Sequence, residues 1–131
     1  GIKEIPHKLS IDSARDFLSI SPISIVTSGT ASLEAAVLGS TPIICYKTNR
    51  LNYAILSRLI STPFIGLPNL LLQKHIFPEL LQSDLTPDSI VTNYLTILSD
   101  PKKYQCFGSE INDAMSGEGF EIAARTIKNL L

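Results

Sequence analysis

Between Ile25 and Lys47 the chain reads IVTSGTASLEAAVLGSTPIICYK, and its chemistry gathers at one junction. Ser28, Gly29 and Thr30 stand where an apolar run stops and a helix-like pattern begins; Glu34 follows one turn later. A helix start offers unpaired backbone N–H groups and the positive end of the helix dipole, which together favour an anion. Glycine lets a phosphate approach the backbone closely, and the flanking hydroxyls add donors. An ordinary capped turn would use the same residue types. Glu34 is not the far end of a capping box, because position 31, three residues before it, is alanine. On a helix it lies above Thr30 on the same face, where a carboxylate can accept two hydrogen bonds from a vicinal diol such as ribose. Its simpler role is a favourable charge in the first turn. Read jointly, a phosphate-binding turn followed by a diol-binding carboxylate makes a nucleotide site, although the pattern is neither a Walker loop nor GxGxxG.

The elements around the junction have to hold it. "ISIVTS" and "TPIICYK" are short, apolar and β-branched, as buried strands are. Ala31 to Leu38 between them has helical spacing, with Leu33, Ala36 and Val37 on one face and Gly39 as the stop. Strand, helix and strand with short connections predict a parallel βαβ unit, hence an α/β fold with a three-layer, Rossmann-like parallel sheet. A short helix over Ile11–Leu18, capped by Ser10 or Asp12, precedes it. Asn49 to Ser61 reads as a helix whose stretch from Leu51 to Ile60 is apolar on more than one face, including Tyr53 and Leu56. A third strand is expected at Phe64–Gly66, then a proline-marked loop carrying Asn69. His75 to Gln82 is ambiguous, with a short helix after Pro78 as one reading. Thr86-Pro87 starts a helix with Ile90, Val91, Tyr94, Leu95 and Leu98 as its apolar stripe. Two more helices follow, one with Tyr104, Phe107, Ile111 and Met115 at helical spacing, the other running from Phe120 to Leu131.

Bulk properties narrow the classes. Apolar residues make up 44% of the 131 residues and charged ones 18%, so a packed core is expected and disorder is not. The net charge of −1 and the lack of a long basic run exclude the electrostatic footprint of a nucleic-acid binder. The two cysteines, Cys45 and Cys106, form no CxxC pair, and Cys45 reads as a buried thiol. His7 and His75 read as surface residues, and Asp84 and Asp88 as turn and helix-start residues. No cluster of His, Cys and carboxylates has metal-ligand spacing, and no apolar run reaches the ~20 residues that span a bilayer. A cytoplasmic location is expected. A first residue other than methionine, together with the thin sheet, suggests that parts of the domain are missing.

"SGTASLEAAVLGSTPIICYK" followed by "LPNLLLQKHIFPELLQSDLTPDSI" resembles the C-terminal region of the lipid A disaccharide synthases, from about Asp12 to the end of the chain. The joint occurrence of SGTxxLE, a tyrosine–basic pair, LPNLL and ELLQ is what makes the resemblance specific. It implies an inverting glycosyltransferase of GT-B architecture, two Rossmann-like halves facing a cleft, of which residues 1–131 would be the later part of the C-terminal, donor-binding half. The implied reaction transfers diacylglucosamine from UDP to diacylglucosamine 1-phosphate. Ser28, Gly29 and Thr30 would then face the UDP phosphates and Glu34 the ribose. Asn69 would line the donor site, and Tyr46, Lys47, Glu79 and Gln82 would belong to the cleft wall. The resemblance implies no cofactor and no metal, since the UDP-sugar is a substrate. The partners it implies are the two lipid substrates, the N-terminal half with the acceptor pocket and general base, and peripheral contact with the inner membrane. The chain alone is expected to be inactive. Two rivals stand beside it: another GT-B enzyme using a UDP-sugar, and a non-catalytic nucleotide-binding module.

Overall fold

The computed structural model describes residues 5–49 and 62–116. Helix α1 (Ala14–Ile20) leads into strand β1 (Ile23–Thr27), helix α2 (Thr30–Val37) and strand β2 (Thr41–Tyr46). The strands are parallel, in register from Ile23 opposite Thr41 to Thr27 opposite Cys45. Gly39, at φ +87°, takes the left-handed conformation that lets the chain leave α2 and return along the sheet. Helix α3 (Leu67–Leu72) then precedes strand β3 (Glu79–Leu81), which lies parallel to β2 with Ile44 opposite Glu79. The sheet order is β1-β2-β3. A 3₁₀ turn (Gln82–Asp84) connects to helices α4 (Pro87–Ser99) and α5 (Lys102–Ser116).

Successive side chains of a strand point to opposite faces, and both Ile43 and Ile44 of the central strand are 0% exposed. Both faces of the sheet are therefore covered. Helices α2, α3 and α5 pack on one another, while α4 lies against β1 and β2. Ala36, Ile43, Ile44, Phe77, Leu80, Ile97, Tyr104 and Ile111 form one core. The expected α/β, Rossmann-like parallel sheet is present.

Several elements differ from the sequence reading. The third strand is not Phe64–Gly66 but Glu79–Leu81, inside the segment where a helix was one option. The Ile65 and Gly66 amides donate to the Glu79 carboxylate at 2.9 and 3.0 Å instead of entering a ladder. LPNLL is not a loop: Pro68 occupies the first turn of α3, where its missing N–H costs nothing. Helix α1 starts later than expected, at Ala14, and its N-cap position is Ser13 rather than Ser10 or Asp12. On α4 the buried residue is Ile97, whereas Val91, Tyr94, Leu95 and Leu98 of the expected stripe are exposed. The start of α4 is as expected, and a reciprocal capping box holds it: Ser89 N donates to Thr86 Oγ1 at 3.1 Å and Thr86 N to Ser89 Oγ at 3.0 Å. The helix expected over Asn49–Ser61, apart from Asn49 itself, with the apolar surface at Leu51–Ile60, and the helix expected over Phe120–Leu131 lie outside the described residues.

Helix α5 approaches α2 at Gly108, where an added Cβ would stand 2.9 Å from the Ala36 carbonyl oxygen. Alanine gains about 0.5–1 kcal/mol of helix propensity over glycine, and overpacking against backbone costs about 1–3 kcal/mol. Gly108→Ala should therefore lower the stability of the chain in urea unfolding; an unchanged or higher midpoint would show that the helices separate freely.

Candidate nucleotide site

The parallel arrangement brings the ends of β1, β2 and β3 to one edge, and the junction residues lie there. Ser28 N donates to Cys45 O at 3.1 Å, which carries the β1–β2 ladder up to the turn. Gly29 is the N-cap of α2, with φ +123° and ψ −157°, a region open almost only to glycine. No side chain caps this helix start. Instead the Gly29 carbonyl is turned inward, accepting from Ser32 N at 3.2 Å and from the buried Ser32 hydroxyl at 2.7 Å. Ser32, which no sequence argument singled out, thus closes the turn from below. A Cβ built on Gly29 meets nothing within 4 Å, so the outer side of the turn faces open space. Thr30 is exposed and Ser28 half-buried.

Glu34 is on the exposed side of α2, and its Oε1 lies 3.1 Å from Arg15 Nε of α1. A cation on a helix that precedes the βαβ unit leaves no mark in the motif, so only the packing of α1 on α2 reveals this partner. Tyr46 is half-buried at the end of β2 and Lys47 exposed just beyond it. Gln82 leaves β3 at φ +50°, and its Oε1 accepts from Thr48 N at 3.4 Å. This bond ties the carboxyl ends of β2 and β3 together. The Gln82 Nε2 is buried without a hydrogen-bond partner. Cys45, beside the same edge, is half-buried, and burial pushes its thiol pKa upward.

Asn69 and Glu79 are placed differently. Asn69 is 0% exposed, and both ends of its amide are engaged. Its Nδ2 donates to Phe77 O and to Glu79 Oε1, each at 2.8 Å, while its Oδ1 accepts from Ile76 N at 3.1 Å and Phe77 N at 2.9 Å. His75, exposed as expected, has its Nδ1 3.4 Å from Asn69 Nδ2. LPNLL and ELLQ, two separate motifs in the sequence, therefore meet in one network that joins α3 to β3, with Asn69 buried and Glu79 half-buried. Gly66 completes it: a Cβ there would stand 2.3 Å from Ile44 Cδ1 and 3.1 Å from Glu79 Oε1.

A parallel sheet with covered faces and a glycine-opened helix start at its carboxyl edge defines a Rossmann-like α/β domain of the kind that binds ligands at that edge. Sequence comparison takes the assignment further. The family model described as lipid-A-disaccharide synthetase matches residues 3–125, and the chain belongs to that family. It is 31% identical over 127 residues to the lipid-A-disaccharide synthase of Dechloromonas aromatica, covering 95% of this chain and 33% of the relative. To that of Cellvibrio japonicus it is 37% identical over 100 residues, covering 76% of this chain and 26% of the relative. To that of Methylobacillus flagellatus it is 33% identical over 131 residues, covering 98% and 35%. The chain thus spans about a third of the length of these curated relatives.

Asn69→Ala would leave the Ile76 and Phe77 amides without their buried acceptor and remove one donor from Glu79. Each orphaned buried group costs about 1–3 kcal/mol, so a loss on the order of 3 kcal/mol is expected in urea unfolding. A loss below about 0.5 kcal/mol would show that water or a neighbouring group replaces the amide.

Proposed function

We propose that this chain is the donor-nucleotide-binding part of an enzyme that transfers diacylglucosamine from UDP to diacylglucosamine 1-phosphate, releasing UDP and a lipid A disaccharide. The observation that carries the reading is Gly29. A glycine-only conformation at an uncapped helix start, with open space before it, is what close approach of a diphosphate requires. Membership of the lipid-A-disaccharide synthetase family supports UDP as that diphosphate.

In this reading the amides at the start of α2, with Ser28 and Thr30, hold the UDP phosphates, and Glu34 accepts from the ribose hydroxyls. Displacing UDP from the anomeric carbon puts additional negative charge on the β-phosphate. Preorganised N–H donors and a helix dipole aimed there stabilise that charge as it develops, with inversion at the anomeric carbon. Tyr46, Lys47 and Gln82, at the ends of β2 and β3, form the wall toward the sugar. Asn69 and Glu79 support that wall from inside, through β3 and the loop before it. The acceptor pocket and the general base belong to the remaining two thirds of the enzyme, so the chain alone turns nothing over. The UDP-sugar is a substrate and no cofactor enters the scheme. Such an enzyme works in the cytoplasm, at the inner face of the membrane that holds its lipid substrates.

Calorimetric titration with UDP tests the site. The chain should bind UDP, and Glu34→Ala, losing two hydrogen bonds to ribose, should weaken binding roughly 10-fold or more. Gly29→Val should abolish it, although valine is also strained at φ +123°, so its melting curve must be recorded beside its affinity. UDP affinity unaffected by both substitutions would remove the nucleotide reading.

A further inference from the structure

Arg15 stands in the first turn of α1, beside the positive end of that helix's dipole, where a cation is disfavoured. Local sequence gives it no reason to be there; the contact from its Nε to Glu34 Oε1 does. Both groups stay reachable from solvent, the arginine side chain 76% exposed and the glutamate 40%. Side chains on a helix lean toward its N-terminus, so the Glu34 carboxylate tilts toward Thr30, about 6 Å along the axis of α2. That is an awkward neighbour for a diphosphate. A like charge at about 6 Å weakens anion binding roughly threefold where the medium screens as bulk water does, and more where the ligand displaces water.

We propose that Arg15 is the charge-compensating residue of the diphosphate–ribose site, a role that rests on the nucleotide reading above. Its guanidinium cancels the Glu34 charge toward the phosphates and fixes the carboxylate in place. A carboxylate has about four acceptor sites, so one arginine contact leaves room for the ribose hydroxyls. The site thereby keeps the acid that recognises a diol without repelling the anion bound one turn away. Arg15 is a positioning residue and makes no contact with the reacting atoms.

The test is a double-mutant cycle read by UDP calorimetry on the whole chain. Arg15→Ala should raise the Kd about 5- to 10-fold, and Arg15→Lys, which keeps the charge, should stay within about twofold of wild type. In a Glu34→Gln background, where there is no charge to cancel, Arg15→Ala should change the Kd by less than about twofold. Lys74→Ala breaks a comparably exposed pair with Glu110, formed at 2.8 Å, and should leave UDP affinity unchanged. The proposal is overturned if Arg15→Ala has no effect while Glu34→Ala does, an outcome that leaves the nucleotide site standing. It is equally overturned if Arg15→Ala costs the same in both backgrounds, which would make the arginine a direct phosphate ligand. Absence of UDP binding by the wild-type chain would remove the site and the role of Arg15 together.

Discussion

A carboxylate turned into a protein must be met by donors, and the Glu79 carboxylate is met by the amides of Ile65 and Gly66 and by the Asn69 side chain. Much of the architecture follows from that requirement. Strand β3 has only three residues, so its ladder against β2 is short. Glu79 fixes it to the chain entering α3, and Asn69 fixes the loop before it through Ile76 and Phe77. Gly66 lets the Ile44 side chain of the central strand pack against the backbone here, since a Cβ would stand 2.3 Å from Ile44 Cδ1 and make that methyl move. The carboxyl end of β3, from which Gln82 reaches the chain after β2, inherits its position from this polar knot around the buried Asn69.

That knot also explains where the sequence could be read and where it could not. The βαβ unit from Ile23 to Tyr46 is specified by local signals: β-branched runs, a helical face at Leu33, Ala36 and Val37, and glycines at the two reversals. The third strand is not locally specified. Phe64-Ile65-Gly66 has strand-like composition, yet its amides are claimed by a carboxylate 13 and 14 residues away in sequence. Glu79-Leu80-Leu81-Gln82 consists of good helix formers, and tertiary pairing with β2 overrides that propensity. The apolar stripe of α4 shows a different limit. Periodicity reports that a helix has an apolar side, but Ile97 is buried while Leu95 and Leu98 beside it are exposed. Which part of the stripe is covered depends on the neighbouring elements. The placement of Gly29 at the start of α2 and of Glu34 one turn on was legible because backbone conformation and helix spacing are local. The Arg15 contact with Glu34 was not legible, since it joins two helices 19 residues apart in sequence, whereas the Ser32 bond to Gly29 is local and only its burial is set by packing.

The two glutamates singled out from the sequence show how environment divides one residue type into two roles. Glu79 is surrounded by backbone and amide donors that leave it little capacity for a ligand, and its consequence is geometric. Glu34 is surface-facing, paired with one exposed cation, and retains acceptor capacity toward solvent. An exposed ion pair of this kind contributes about 0–1 kcal/mol to folding, so its part in stability is small. Under the nucleotide reading proposed above, that free capacity would serve the ribose hydroxyls, and Arg15 would offset the Glu34 charge toward the diphosphate. Glu79 spends its acceptor capacity inside the fold, and Glu34 keeps part of its own toward solvent.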